Sequence, residues 1–347
     1  MSEKDLSAFS DKSNILSDGE LLSAGGALEE SGYAFAHVKR YSNDAVKKRR
    51  ARIKERDCYY FGDDRHAVAL SVSHSAHSAV ATVIVLDFIH IAKAVKRKVV
   101  PKGGASMPSS IGEGNIEFDG GGLKISFTVA NGKRTLKCEC KEIVGKKDFE
   151  CEIELDEFDG DCITAAMPLE NDGEFFYGTR TSCLKGGGWY TLGGERVEFS
   201  REARGELDWT RCVYPHKCVV YSAGMSTEID GKAFGIGISK IGVKRFIDRN
   251  AIFCDGKGSK LNGVKFEIPF TTGALDYLKP WKITDDDGRI GLMFYPMIEV
   301  VEKTRIGLGA IRHKVFGKYY GKATLEDGTI IDIADKIGYA EHLQTRW

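Results

Sequence analysis

The run Asp208-Trp209-Thr210-Arg211, followed by Tyr214-Pro215-His216, is the densest group of chemically capable side chains in the sequence. An Asp and a His can exchange a proton with a substrate, an Arg can hold a carbonyl or carboxylate, and Trp and Tyr can lie against an apolar ring. Asp208, Arg211 and His216 are therefore candidate catalytic residues, with Trp209 and Tyr214 as ligand contacts. In a strand, however, Asp208, Thr210 and Cys212 share one face while Trp209 and Arg211 share the other. Acting on one molecule would require a bend or bulge, which Gly205 and Pro215 could supply. The alternative is a structural Asp208–Arg211 pair neutralising itself beneath a sheet.

A second group, Glu341, His342, Arg346 and Trp347, closes the chain. Glu341 could serve as a general acid. A terminal Trp beside a Glu and an Arg could equally lock the last strand into its sheet by burial and a charge-assisted hydrogen bond. Trp281, like Trp189 and Trp209, could stack on a ligand ring. His66, His74 and His77 lack a matching carboxylate, and Cys138 and Cys140 have no second Cys/His pair at zinc-like spacing, so no metal site is expected. Gly186-Gly187-Gly188 and Gly235-Ile236-Gly237 lack nucleotide-binding spacing before a helix. They read as bulges or close backbone approaches, and no cofactor is expected.

The elements that must position these residues are strands. Leu123, Ile125, Phe127 and Val129 alternate with polar residues, as do Phe149, Cys151, Ile153 and Leu155, and later Val264, Phe266 and Ile268. Period-two alternation marks antiparallel sheet with one face buried. Asp119-Gly120, Asn131-Gly132, Asp230-Gly231, Asp255-Gly256, Asn262-Gly263, Asp287-Gly288 and Asp327-Gly328 supply hairpin turns. The stretch Ile89 to Lys98 is open between strand and short helix. Residues 1–31 read as a polar N-terminal tail, 32–195 as a first β unit and 196–347 as a second, with the seam in the Gly-rich region near 180–205.

Fifty basic and fifty acidic side chains in 347 residues leave a formal net charge of +0, so no global field draws the chain to nucleic acid. The basic run Lys47-Lys48-Arg49-Arg50 reads as a solvated loop before a strand. The most hydrophobic stretch, Ala79 to Ala92, contains Asp87 and His90 and falls short of the ~20 apolar residues of a spanning helix. Met1 to Glu20 has no apolar leader, and the nine cysteines are an odd number. Free thiols in a reducing, cytoplasmic setting are the expectation.

From Arg52-Ile-Lys-Glu-Arg-Asp-Cys-Tyr-Tyr60 onward the chain resembles the domain of unknown function 2804 family, which typically carries Arg-Ile-Lys-Glu-Trp-Asp-Tyr-Tyr here. The resemblance continues through Gly205-Glu-Leu-Asp-Trp-Thr-Arg211, Asp230-Gly-Lys-Ala-Phe-Gly-Ile-Gly237, Asn250-Ala-Ile-Phe-Cys-Asp-Gly256, Pro280-Trp-Lys-Ile-Thr-Asp285 and Phe316-Gly-Lys-Tyr-Tyr-Gly321. It ends on Glu341-His342…Arg346-Trp347. More distantly, the pattern is similar to double-lipocalin proteins, a group that includes carotenoid hydratases and tocopherol cyclases. The resemblance implies an all-β fold of two consecutive antiparallel, lipocalin-like barrel or sandwich units. Two departures stand out: Arg56 replaces the expected Trp, and Cys-Val-Tyr-Pro-His-Lys-Cys replaces a Trp-rich segment after Arg211. If those aromatics line a pocket in relatives, this pocket is smaller and more polar.

The leading functional expectation is a protein that binds or transforms a largely apolar small molecule by cofactor-free acid–base chemistry, of hydratase, lyase or isomerase type. The alternatives are a carbohydrate-binding or carbohydrate-active β protein and a structural or interaction protein. An enclosed aliphatic pocket, an open groove with coplanar Trp faces, or a filled interior would distinguish them.

Overall fold

Alternating apolar residues and Gly-containing turns produce two large antiparallel sheets. The structure is a computed structural model that describes residues 14–101, 104–157, 159–242, 249–304 and 309–346. Among these residues no helix is long and apolar enough to cross a membrane.

The first, 13-stranded sheet has ten strands in the spatial order Ala92–Pro101, Ser78–Asp87, His66–Ser75, Ile53–Gly62, Arg204–Val213, Phe175–Leu192, Lys147–Asp156, Lys133–Val144, Leu123–Ala130 and Ile116–Gly120; Ile163–Pro168 and Glu195–Glu198 also pair with Phe175–Leu192, and Gly32–Ala34 pairs with Ile163–Pro168. It curls into a nearly closed barrel. Its two flanks approach where Lys96 Nζ donates to the Glu142 carbonyl at 2.9 Å. The interior is filled by inward residues such as Tyr59, Phe61, Phe127, Leu136, Ile153 and Trp209. Ile89 to Lys98 resolves into a turn and the start of strand Ala92–Pro101.

The second, 9-stranded sheet is ordered Lys257–Lys260, Ala251–Cys254, Lys232–Ile241, Lys217–Ile229, Ile330–Arg346, Ala310–Thr324, Ile290–Thr304, Trp281–Thr284 and Lys265–Glu267. It forms a half-barrel with its own core around Phe234, Ile236, Trp281, Phe294 and Tyr319. The two units are consistent with consecutive lipocalin-like modules.

The chain passes between sheets after Val213 and before Lys217. Strand Arg204–Val213 pairs with Ile53–Gly62 on one side and Phe175–Leu192 on the other, so it belongs to the first sheet. The sheets therefore divide later than the expected boundary at 195/196, because a glycine-rich stretch at 186–188 lies inside a long strand instead of between units. The N-terminal segment is also more than a polar tail. Leu16, Leu21 and Leu22 are buried in the first core, and the Leu16 amide donates to the Tyr33 carbonyl at 2.8 Å.

The hairpin chemistry is local and direct. Asn131 and Gly132 take φ of 54° and 72°, and Asp230 and Gly231 take 51° and 75°. Two consecutive positive φ angles are what a type I′ hairpin requires. At Asp119-Gly120 the turn falls two residues later, on Gly121 and Gly122, with Gly120 closing the strand.

The sheets pack outer face to outer face. At one end of the seam Tyr60, Ile84 and Phe88 of the first unit bury against Ile298, Phe316 and Tyr339 of the second. At the other end Met167, Phe176 and Cys212 meet Cys218 and Ile241. Between these apolar clusters the seam is polar and incompletely filled.

Candidate functional site

Strand Ile53–Gly62 sets the site. Its odd residues Glu55, Asp57, Tyr59 and Phe61 point into the first barrel or its polar rim, while Lys54, Arg56, Cys58 and Tyr60 face the seam. Register then carries this face across the neighbouring strands. Arg56 lies between Thr210 and Ser73, Lys54 between Cys212 and Ser75, and Cys58 between Asp208 and Ser71. The second sheet supplies the opposite wall through Val220 and Ser222, Ser239 and Ile241, Arg312, and Glu341, Leu343 and Thr345. Alternation alone decides which member of each pair reaches the seam.

The main lobe of the resulting cavity has a volume of about 160 Å³. A second lobe, also about 160 Å³, adjoins it, since Lys54, Arg56, Ser73, Arg312, Leu343 and Thr345 line both. A narrow inward extension of about 10 Å³ reaches Tyr60, Glu206 and Tyr339 past Arg56 and Glu341. Arg56 lines all three spaces.

Asp208 is fixed by two arginines. Arg180 Nη2 donates to its Oδ2 at 2.9 Å, Arg249 Nη1 donates to its Oδ1 at 2.9 Å, and Thr210 Oγ1 donates to Oδ1 at 3.2 Å. Burial alone would raise the Asp208 pKa, but Arg249, Arg180 and Arg56 outweigh it and hold the carboxyl far below the usual range. Arg180 is 0% exposed and also donates to the carbonyls of Ala223 and Ile238 at 3.0 Å each, binding the second sheet to the first. Gly237 exists for this crossing: a Cβ there would lie 2.4 Å from Arg180 Cδ. The Gly235-Ile236-Gly237 element is thus a close approach between sheets.

Glu341 pairs with Arg312 Nε at 3.2 Å. Its burial is outweighed by Arg312, Arg56 and Lys314, and its pKa is lowered. Lys54 has the reverse balance: burial disfavours its charge and brings its pKa down to about 8. Arg56 differs from every other cation in the cavity. Among the described residues its guanidinium makes no hydrogen bond and no ion pair, while burial opposes its charge and Glu341, Asp208 and Glu302 at longer range favour it. Across the two large lobes the cations Lys54, Arg56, Arg97, Arg249 and Arg312 number five. The carboxylates Asp208, Glu302 and Glu341 number three, a surplus of two positive charges. Glu55 is left out because its carboxylate turns away to Asn43 and His74.

Of the residues expected from sequence, Asp208, Tyr214 and Glu341 line this cavity together. Arg211 and Trp209 do not. The pairing of strand Arg204–Val213 with Ile53–Gly62 is continuous, so no bulge turns both faces to one volume. Arg211 instead points into the first barrel, donating from Nη1 to Asp57 Oδ1 at 2.7 Å and from Nη2 to the Pro108 carbonyl at 2.9 Å. Its guanidinium lies over the Trp209 ring at 4.0 Å, and both side chains are 0% exposed. The expected Asp208–Arg211 pair is absent because each has its own partners on its own face. Pro215 does redirect the chain, but it carries the exposed His216 outward. Trp281 is buried in the second core, with Nε1 donating to the Tyr277 carbonyl at 3.1 Å. Trp347 lies outside the described residues.

Sequence reasoning misses Lys54, Arg180, Arg249 and Arg312, and reaches Arg56 only as a departure from the family pattern. The available signal is two cations spaced by two, Lys54 and Arg56, interleaved with the acids Glu55 and Asp57 and followed by Ser71, Ser73 and Ser75 at the same period. No group of three or more His, Cys, Asp or Glu capable of holding a metal occurs among the described residues. All nine cysteines are unpaired, eight of them buried.

Two lipocalin-like β units meeting at a polar seam define the class of protein. The chain belongs to the family described as Domain of unknown function (DUF2804), whose model matches residues 12–347. Among solved structures it is similar to an AttH candidate from Nitrosomonas europaea, with 14% identity, a TM-score of 0.55, and coverage of 87% of this chain and 94% of that one. Kievitone hydratase from Nectria haematococca is a more remote likeness, with 9% identity, a TM-score of 0.46, and coverage of 96% and 98%. No curated protein matches the sequence.

Proposed function

We propose that this protein binds a small, largely apolar molecule carrying one acidic oxygen, and that it holds the molecule in the seam cavity with that oxygen on Arg56. The observation that carries this reading is the Arg56 guanidinium, which faces the cavity without a hydrogen bond or ion pair among the described residues. A cation kept charged in a partly desolvated site gains most from a carboxylate, enolate or phenolate partner. Phe176, Tyr214, Val220, Ile241 and Leu343 provide an apolar wall beside it. A cavity of ~150 Å³ holds a benzene-sized group, so the main lobe suits one ring or a short alkyl chain.

Proton exchange in this site falls to Lys54. Asp208 and Glu341 are held ionised by their arginines and are poor acids near neutrality. Lys54, with a pKa brought down to about 8, can give or take a proton there. Acid–base chemistry of hydratase, lyase or isomerase type would use this amine, with Arg56 holding the developing negative charge. A carbohydrate-stacking reading has less support. Trp209 and Trp281 are buried, and Arg196 covers one face of the Trp189 ring at 4.0 Å.

Calorimetric titration with phenylacetate tests the proposal. A charge-assisted hydrogen bond contributes about 1.5–3 kcal/mol, so Arg56→Gln should weaken binding roughly 10- to 100-fold. Affinity should also fall as pH rises through about 8, where Lys54 loses its charge, and Lys54→Met should flatten that profile. Unchanged affinity in a folded Arg56→Gln protein would overturn the reading.

A further inference from the structure

The second lobe has a chemical character of its own. Strand His66–Ser75 directs Ser71, Ser73 and Ser75 to the seam, and Ser78–Asp87 adds Ser78 and Thr82 beside them. Ser71 and Thr82 are register partners on adjacent strands, and Arg97 follows Thr82 on the next strand, so two hydroxyls and a guanidinium form one cross-strand row. Among the described residues neither the Ser71 nor the Thr82 hydroxyl has a hydrogen-bond partner, although Thr82 is only 4% exposed. Ser73 and Ser75, by contrast, donate to the carbonyls of Val80 and Ser78 at 3.3 and 3.2 Å.

A nearly buried hydroxyl without a protein partner is costly unless the space beside it holds water or a polar ligand. The lobe is far larger than the ~30 Å³ share of one water. Its volume matches that of the main lobe, and Arg56 stands at their junction. Building on the acid-binding reading above, we infer that the ligand is two-sided. An apolar ring-sized part sits against Phe176 and Tyr214, the acidic oxygen sits on Arg56, and a hydroxylated ring-sized part sits against Ser71 and Thr82. The ligand class is an aryl or alkyl conjugate of a hydroxylated cyclic acid. Ser71 and Thr82 then set specificity: each hydroxyl can donate to and accept from a ring hydroxyl, and an unmatched apolar ligand would leave both unpaired.

Three probes separate the parts: phenylacetate carries the ring and the acid, quinate the hydroxylated ring and the acid, and caffeoylquinate all three. Caffeoylquinate is expected to bind at least 10-fold more tightly than either fragment. The double variant Ser71→Ala/Thr82→Val, shown to be folded by its near-ultraviolet circular dichroism, should lose about 10-fold for caffeoylquinate and quinate while keeping its phenylacetate affinity. Arg56→Gln should weaken all three. If the double variant unfolds, Thr82→Ser and Ser71→Thr, which keep the hydroxyls, should retain the preference for caffeoylquinate. Equal binding of caffeoylquinate and phenylacetate, or equal losses for both in the double variant, would overturn the two-sided ligand. The acid-binding reading would survive that result if Arg56→Gln still weakened phenylacetate. Indifference of all three probes to Arg56→Gln would remove that reading itself.

Discussion

Arg211 and Arg56 come from the outwardly similar runs Trp209-Thr210-Arg211 and Lys54-Glu55-Arg56, yet they have opposite roles because strand alternation sends them to opposite faces. Arg211 is saturated by Asp57 and Pro108 inside the first barrel, whereas Arg56 meets open volume at the seam. Removing one partner of a buried ion pair leaves the other charge uncompensated, at a cost of roughly 3–5 kcal/mol. Arg211→Met should therefore lower the melting temperature substantially, with phenylacetate affinity of the folded fraction unchanged. Loss of binding without loss of stability would place Arg211 in the site after all. Alternation is legible in the residue pattern alone, and it suffices to separate Asp208 from Arg211. The meeting of Asp208 with Arg180 and Arg249 is not legible there, because those contacts depend on strand pairing and sheet packing between residues far apart in the chain.

Among the elements, strand Ile330–Arg346 does the most. It lies between Lys217–Ile229 and Ala310–Thr324, hydrogen-bonds to both, and presents Glu341, Leu343 and Thr345 to the cavity. Deleting residues 339–347 would strip backbone partners from two strands and take away Tyr339, which donates to the buried Glu206. The loss should exceed several kcal/mol, comparable to removing a core aromatic. The truncated protein is expected to lack a cooperative melting transition, and an unchanged melting temperature would refute this placement. The strand is recognisable as structural from its closing Glu, Arg and Trp and its position after Asp327-Gly328. Its central place in the sheet is not, since sequence order gives no sign that the last strand inserts beside Lys217–Ile229. The same limit moves the division between sheets: Gly186 and Gly188 look like a break but fit within a strand, where a Cβ would lie 2.3 and 2.2 Å from the Glu154 and Glu152 carbonyl oxygens.

At the scale of the whole molecule, the half-barrel depends on the barrel. Its outer face is covered by apolar clusters at both ends of the seam, and Arg180 reaches across to its carbonyls between them. Hydrogen exchange followed by mass spectrometry should show the two sheets losing protection together in denaturant. Arg180→Met should uncouple them, with strands Lys217–Ile229 and Lys232–Ile241 opening first. Independent opening of the sheets in the unaltered protein would contradict that coupling. The central claim is that this seam is a binding site for an acidic small molecule, organised by Arg56. Its most direct test is mass spectrometry of small molecules released from the purified native protein, run in parallel on Arg56→Met. The account predicts an acidic compound with an apolar ring or chain in the unaltered protein and its loss from a folded Arg56→Met protein; the same compound retained at equal occupancy in Arg56→Met would contradict it.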